Sequence, residues 1–151
     1  MVAYRQHYGE SGLLGSELYP GIGSALQHMR QAGLRIYLAT SKRESFRASH
    51  LAACRIGSIF DGIYGSMPSD QLDHKPELLA HILSEQKIAA SRLMVGDRRH
   101  DIVGAHAVGM RSLGVLWGYG NRDELETAGA DQLVESPSDL LRAVLSIFTK
   151  R

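Results

Sequence analysis

The chain has one cysteine, Cys54, in 151 residues, so it cannot close an internal disulfide. That absence fits a reducing compartment. No apolar run approaches the roughly 18 residues that a membrane-spanning helix needs. The N-terminal Met1 to Glu10 is polar and aromatic, unlike a signal peptide with its apolar centre. Charge of one sign is also lacking: 17 basic and 16 acidic residues leave a net charge of +1. Such a balance supplies no electrostatic field for nucleic acid or an anionic membrane surface. Glycine-rich phosphate loops of the P-loop or dinucleotide type are missing too. A soluble cytoplasmic protein is expected, without nucleic-acid or membrane partners, that recognises any substrate through a local site.

What is present suits one compact domain. Short aliphatic runs alternate with amphipathic segments, the pattern of an α/β layered fold with a parallel sheet. Residues 4–14 read as the tail of a helix broken near Gly12. Ile22, Leu26 and Met29 recur at helical spacing, and Gly33 is placed to stop that helix. Residues 34–40 form a candidate strand, and Ser41 with Glu44 makes a capping-box pattern for a following helix. A short strand is expected over residues 59–64. Pro76 suits the first turn of a helix carrying Leu79, Ile82 and Leu83. Leu93-Met94-Val95 is a short strand running into Gly96-Asp97, followed by a helix over about residues 101–108 that Gly109 ends. Residues 111–116 are another strand, and Asn121 with Glu124 repeats the cap spacing. Residues 132–134 suit an edge strand, and Ser136-Pro137 opens the last helix.

In such sheets, polar groups at the C-terminal strand ends converge on one crevice. That rule selects Thr40 and Ser41, Gly96 and Asp97, and the residues after Leu116. Hydroxyls at a strand-to-helix turn can cradle phosphate, although the plainer reading of Ser41 alone is a helix cap. Lys75 opens a helix where a cation opposes the dipole, which an adjacent anion would justify; the plainer reading is a solvated lysine. Asp97 and Asp101 stand four residues apart, so their carboxylates can share one side of a turn. Paired carboxylates suit Mg2+, a hard cation that prefers oxygen; both residues could instead simply cap the helix. None of the histidines, including His74, His100 and His106, has zinc-site spacing with cysteine, and they read as surface or structural residues. The run Gly114 to Gly120 is a candidate loop at the crevice rim.

Taken in order, these segments resemble the later three motifs of the haloacid dehalogenase superfamily, closest to its phosphoglycolate phosphatase and 5′-nucleotidase-like members. The resemblance is carried by Tyr4-Arg5-x-x-Tyr8, Leu18-Tyr19-Pro20-Gly21, Leu38-Ala39-Thr40-Ser41-Lys42, His74-Lys75-Pro76, Val95-Gly96-Asp97-Arg98, Gly104-Ala105 and Gly114-Val115-Leu116-Trp117-Gly118-Tyr119-Gly120. It implies a Rossmann-like three-layer α/β sandwich and hydrolysis of a small phosphorylated metabolite, either phosphoglycolate or a 5′-nucleotide. Thr40 and Ser41 would bind the phosphoryl group, and Lys75 would neutralise charge. Asp97 would bind Mg2+, with Asp101 supporting the metal directly or through water.

One departure dominates. Members of this superfamily begin with a strand ending in Asp-x-Asp, which supplies the nucleophile and the acid/base. No Asp-x-Asp occurs in these 151 residues, and Asp70 and Asp73 lie in a polar stretch rather than at the end of an apolar strand. Residues 1–17 resemble a remnant of the helical cap, with residues 18–151 as the core. The N-terminal strand and most of the cap are therefore expected to be missing, and the truncated chain to be inactive alone. The missing strand would lie between the strands ending at Thr40 and Val95. Those strands are expected to close on each other or to recruit a second chain, giving a homodimer through open sheet edges. The alternative is a non-catalytic module that binds phosphate or dimerises. A response-regulator-like or nucleotide-binding domain is disfavoured.

Overall fold

The computed structural model describes residues 2–4, 20–43, 57–66, 75–88 and 91–149. Among them a six-stranded sheet runs in the order β3-β2-β1-β4-β5-β6. The strands are β1 (Val2–Tyr4), β2 (Ile36–Arg43), β3 (Gly62–Ser66), β4 (Leu93–Gly96), β5 (Arg111–Val115) and β6 (Gln132–Val134). Every pairing is parallel. The helices are α1 (Ile22–Gln31), α2 (Lys75–Glu85), α3 (Arg99–Ala107), α4 (Arg122–Thr127) and α5 (Leu140–Thr149).

Strand alternation sorts the core into two layers. Ile36 and Leu38, Leu93 and Val95 pack with Ile22, Leu26 and Met29 of α1 and with Val144 and Ile147 of α5. Tyr37, Ala39 and Met94 turn to the other face, against Leu78, Leu79 and Ile82 of α2 and Ala105 of α3. Period-2 strands thus meet helices on both sides, which is why residues 36–39 of β2 and 93–95 of β4 are continuously apolar rather than alternating. The expected three-layer α/β architecture is the one observed. Gly33 follows α1 with φ 86°, the left-handed conformation of a helix terminator, as its position predicted.

Three expectations are corrected. The central position is not empty, and its neighbours neither meet nor await a second chain. Val2–Tyr4 fills it, pairing with Ile36–Leu38 on one side and Leu93–Val95 on the other. Tyr4 is therefore strand, not helix, and the rationale for a homodimer through an open interior edge falls away. Residues 5–19, most of the segment assigned to a cap remnant, lie outside the described residues. Second, β2 does not yield to a helix at Ser41. It continues to Arg43, with a register shift between Ala39, opposite Tyr64, and Arg43, opposite Ser66. Pairing with β3 outweighs the local capping pattern, and Glu44 lies outside the described residues. Third, the strand expected over residues 59–64 is offset: Gly57–Ile59 is a 3-10 turn and the strand is Gly62–Ser66.

Candidate functional site at the strand ends

Three charged side chains are buried at the C-terminal side of the sheet. Lys75, at the start of α2, is 7% exposed, Asp97 2% and Asp101 0%. Burial of charge is costly unless it is paired. Lys75 Nζ donates to the carbonyl of Ala39 at 3.3 Å and lies 3.2 Å from Asp101 Oδ1. Asp101 Oδ2 accepts the backbone N–H of Arg98 at 3.2 Å, so this carboxylate both caps α3 and grips the lysine. Glycines make room for the pair. A Cβ on Gly104 would come within 2.6 Å of Lys75 Cγ, and one on Gly96 would overlap the Asp101 side chain.

Asp97 follows β4 directly. Its Oδ2 accepts the N–H of Tyr119 at 2.9 Å, and its carbonyl accepts the N–H of Gly120 at 3.0 Å. Its Oδ1 is buried and has no hydrogen-bond partner among the described residues. A carboxylate oxygen left unmatched in the interior is expensive, which points to a missing ligand. Mg2+ meets that need, because it takes oxygen donors and completes its shell with water. Among the described residues no group of three or more His, Cys, Asp or Glu is placed to hold a metal ion.

The loop bearing Asp97 is tied to α4. Glu124 Oε1 accepts from Arg98 Nε and from the Arg99 N–H, both at 2.9 Å. Glu124 in turn donates its N–H to Asn121 Oδ1 at 2.8 Å, the cap read from sequence. The Arg98 side chain, then the Arg99 N–H, holds the Glu124 carboxyl below its usual range.

The structure thus pairs Lys75 with Asp101 and buries Asp97 four residues earlier in the chain, at the end of β4. Thr40 and Ser41 stand in β2 just past Ala39, with their side chains outside what is described. His74, Asp70 and Asp73 also lie outside the described residues. His106 belongs to a separate knot with Ser112 and Asp131. A Ser-His-Asp composition invites a catalytic reading, but Ser112 Oγ and Asp131 Oδ2 meet the same nitrogen, His106 Nε2, at 3.0 and 3.2 Å. A relay needs the two on opposite ring nitrogens. Ser112 is also fully buried, so the knot is structural, tying β5 to the turn before β6. The roles of Gly118, Tyr119 and Glu124 around Asp97 were not legible in the sequence. Their only signals were a glycine-rich rim and a cap spacing.

The sequence model of a family described as haloacid dehalogenase-like hydrolase matches residues 2–115. The chain belongs to that family. The haloacid dehalogenase-like chain is 36% identical over 149 residues to the tyrosine-protein kinase PtkA of Mycobacterium tuberculosis, covering 97% of this chain and 51% of that one. It is 38% identical over 126 residues to a 5′-nucleotidase of Pseudomonas aeruginosa, covering 81% and 56%. To a phosphoglycolate phosphatase of Vibrio parahaemolyticus it is 30% identical over 138 residues, covering 91% and 60%. It therefore spans 51% to 60% of the length of these three relatives. A predicted phosphatase from Clostridium acetobutylicum superposes with a TM-score of 0.86 at 30% identity, over 91% of this chain and 64% of that one.

Proposed function

We propose that this chain carries the phosphate- and cation-binding half of a phosphatase acting on a small phosphomonoester, phosphoglycolate or a 5′-nucleotide. The supporting observations are the buried Oδ1 of Asp97, which has no hydrogen-bond partner among the described residues, and the buried Lys75–Asp101 pair. Phosphoryl transfer is catalysed mainly by placing cations against spreading negative charge. Mg2+, when bound, would supply one such charge, held through Asp97. Lys75 supplies another, fixed beside Thr40 by its bond to the Ala39 carbonyl. Thr40 and Ser41 are assigned to the phosphoryl oxygens. Asp101, engaged by Lys75 and the Arg98 N–H, holds the lysine and the loop, and would support the cation directly or through water.

These residues bind and polarise; they include no Asp-x-Asp to attack phosphorus. Removing members of a catalytic unit costs orders of magnitude, so the chain alone should not turn over. Hydrolysis of phosphoglycolate and of 5′-nucleotides with Mg2+ tests this. Robust turnover that Asp97→Ala abolishes would overturn the expected inactivity. The missing pair also favours a second reading, a non-catalytic phosphate-binding module, for which phosphate affinity without turnover is the signature. Because one relative bears the name of a tyrosine kinase, transfer from ATP to tyrosine is the other reaction to assay.

A further inference from the structure

Asp97 is held not by charged side chains but by the backbone of Gly118-Tyr119-Gly120. Tyr119 N–H donates to Asp97 Oδ2 at 2.9 Å, and Gly120 N–H donates to the Asp97 carbonyl at 3.0 Å. The approach is closer than any side-chain-bearing residue allows. A Cβ on Gly118 would collide with the Asp97 carboxylate, and one on Gly120 would collide with the Asp97 carbonyl oxygen. Two consecutive N–H groups and two flanking glycines therefore act on one aspartate. They engage one carboxylate oxygen and leave the other, buried Oδ1 without a partner among the described residues.

We propose that Gly118-Tyr119-Gly120 is a backbone clamp that positions Asp97 for a divalent cation: it saturates Oδ2, fixes the main chain beneath it, and reserves Oδ1 for the metal. The three are positioning residues, acting through Asp97. The clamp explains why the loop after β5 carries glycines at both flanking positions, since each admits Asp97 where a side chain would expel it. It rests on the cation reading above and adds a specific claim about which oxygen is presented and by what. Partners that orient a metal ligand typically change affinity by about 10–100-fold when lost.

The test uses the full chain and Mg2+ alone. Calorimetric titration compares the unaltered protein with Tyr119→Pro, which removes the N–H donor, and with Gly118→Ala, which forces the Asp97 carboxylate aside. Both variants should bind Mg2+ about 10–100-fold more weakly at unchanged far-ultraviolet circular dichroism. Should either fail to fold, the unaltered protein still decides the matter: the 15N–1H resonances of Tyr119 and Gly120 should shift during the Mg2+ titration, with the calorimetric midpoint. Folded variants that bind as tightly as the parent, or amides of residues 119 and 120 that stay silent while Mg2+ binds, would overturn the clamp and leave the cation reading standing. No Mg2+ binding by the unaltered protein would overturn both.

Discussion

Lys75 Nζ lies 3.2 Å from Asp101 Oδ1, and both side chains are withdrawn from solvent. The pair bridges the start of α2 to the start of α3 and, through Ala39, reaches the end of β2. Three separate stretches of chain therefore meet at one ion pair. Truncating either partner removes the buried counter-charge of the other. Lys75→Met or Asp101→Asn should each cost about 3–5 kcal/mol, read as a fall in the urea midpoint. The double variant Lys75→Met/Asp101→Asn should cost much less than the sum of the two single losses; losses that simply add would show that the pair is not coupled.

Asp97 should behave differently. Its Oδ1 is buried with no partner among the described residues, so Asp97→Asn should leave the cation-free melting temperature level or raised. The stabilisation by Mg2+, about 2.7 kcal/mol at a hundredfold excess over Kd, should vanish in the variant. A Mg2+-dependent rise in melting temperature that survives Asp97→Asn would place the cation elsewhere.

Glu124 predicts an acid limb to stability. Its carboxyl is held below the usual range by Arg98 and then by the Arg99 N–H. A folded-state value depressed below the unfolded one means the contribution is complete above the unfolded pKa. It is lost as pH falls through the folded value. The Arg98 and Glu124 side chains are 37% and 23% exposed, so solvent screening limits the effect to about 1 kcal/mol or less. Glu124→Gln should therefore destabilise at pH 7 and converge with the parent as pH falls through the folded-state value of Glu124 in urea melts. A constant gap across that range would assign the effect to packing instead of charge.

Two glycines near α1 should respond with opposite sign to the same substitution. Gly23 lies within the helix with open space around its Cβ position, so Gly23→Ala should stabilise by up to about 1 kcal/mol. Gly33 has equally open space but φ +86°, so Gly33→Ala should destabilise by about 1–2 kcal/mol through backbone strain alone. Thermal melts of the two variants check this directly, and shifts of equal sign would contradict it.

Much of the architecture was readable because it is local. Ile22, Leu26 and Met29 repeat at 3.6 residues, Leu93-Met94-Val95 is apolar throughout, and Asn121 sits three residues before Glu124; each became the helix, buried strand or cap expected. Asp97 was picked out because strand ends converge in a parallel sheet, which follows from element order alone, Lys75 because it is a cation at a helix start, and Asp101 because it stands four residues after Asp97. Three outcomes depended on partners distant in the chain. Val2–Tyr4 became the central strand because Ile36–Leu38 and Leu93–Val95 offered it two ladders at once. Ser41 stayed in β2 because β3 pairs beyond it. The grip on Asp97 comes from amides 22 and 23 residues away, and backbone N–H groups leave no trace in residue identity beyond the glycines that let them approach. Periodicity and cap chemistry are properties of neighbouring residues and so are written in the sequence. Strand partners and backbone donors are properties of position in space, and only the folded chain assigns them.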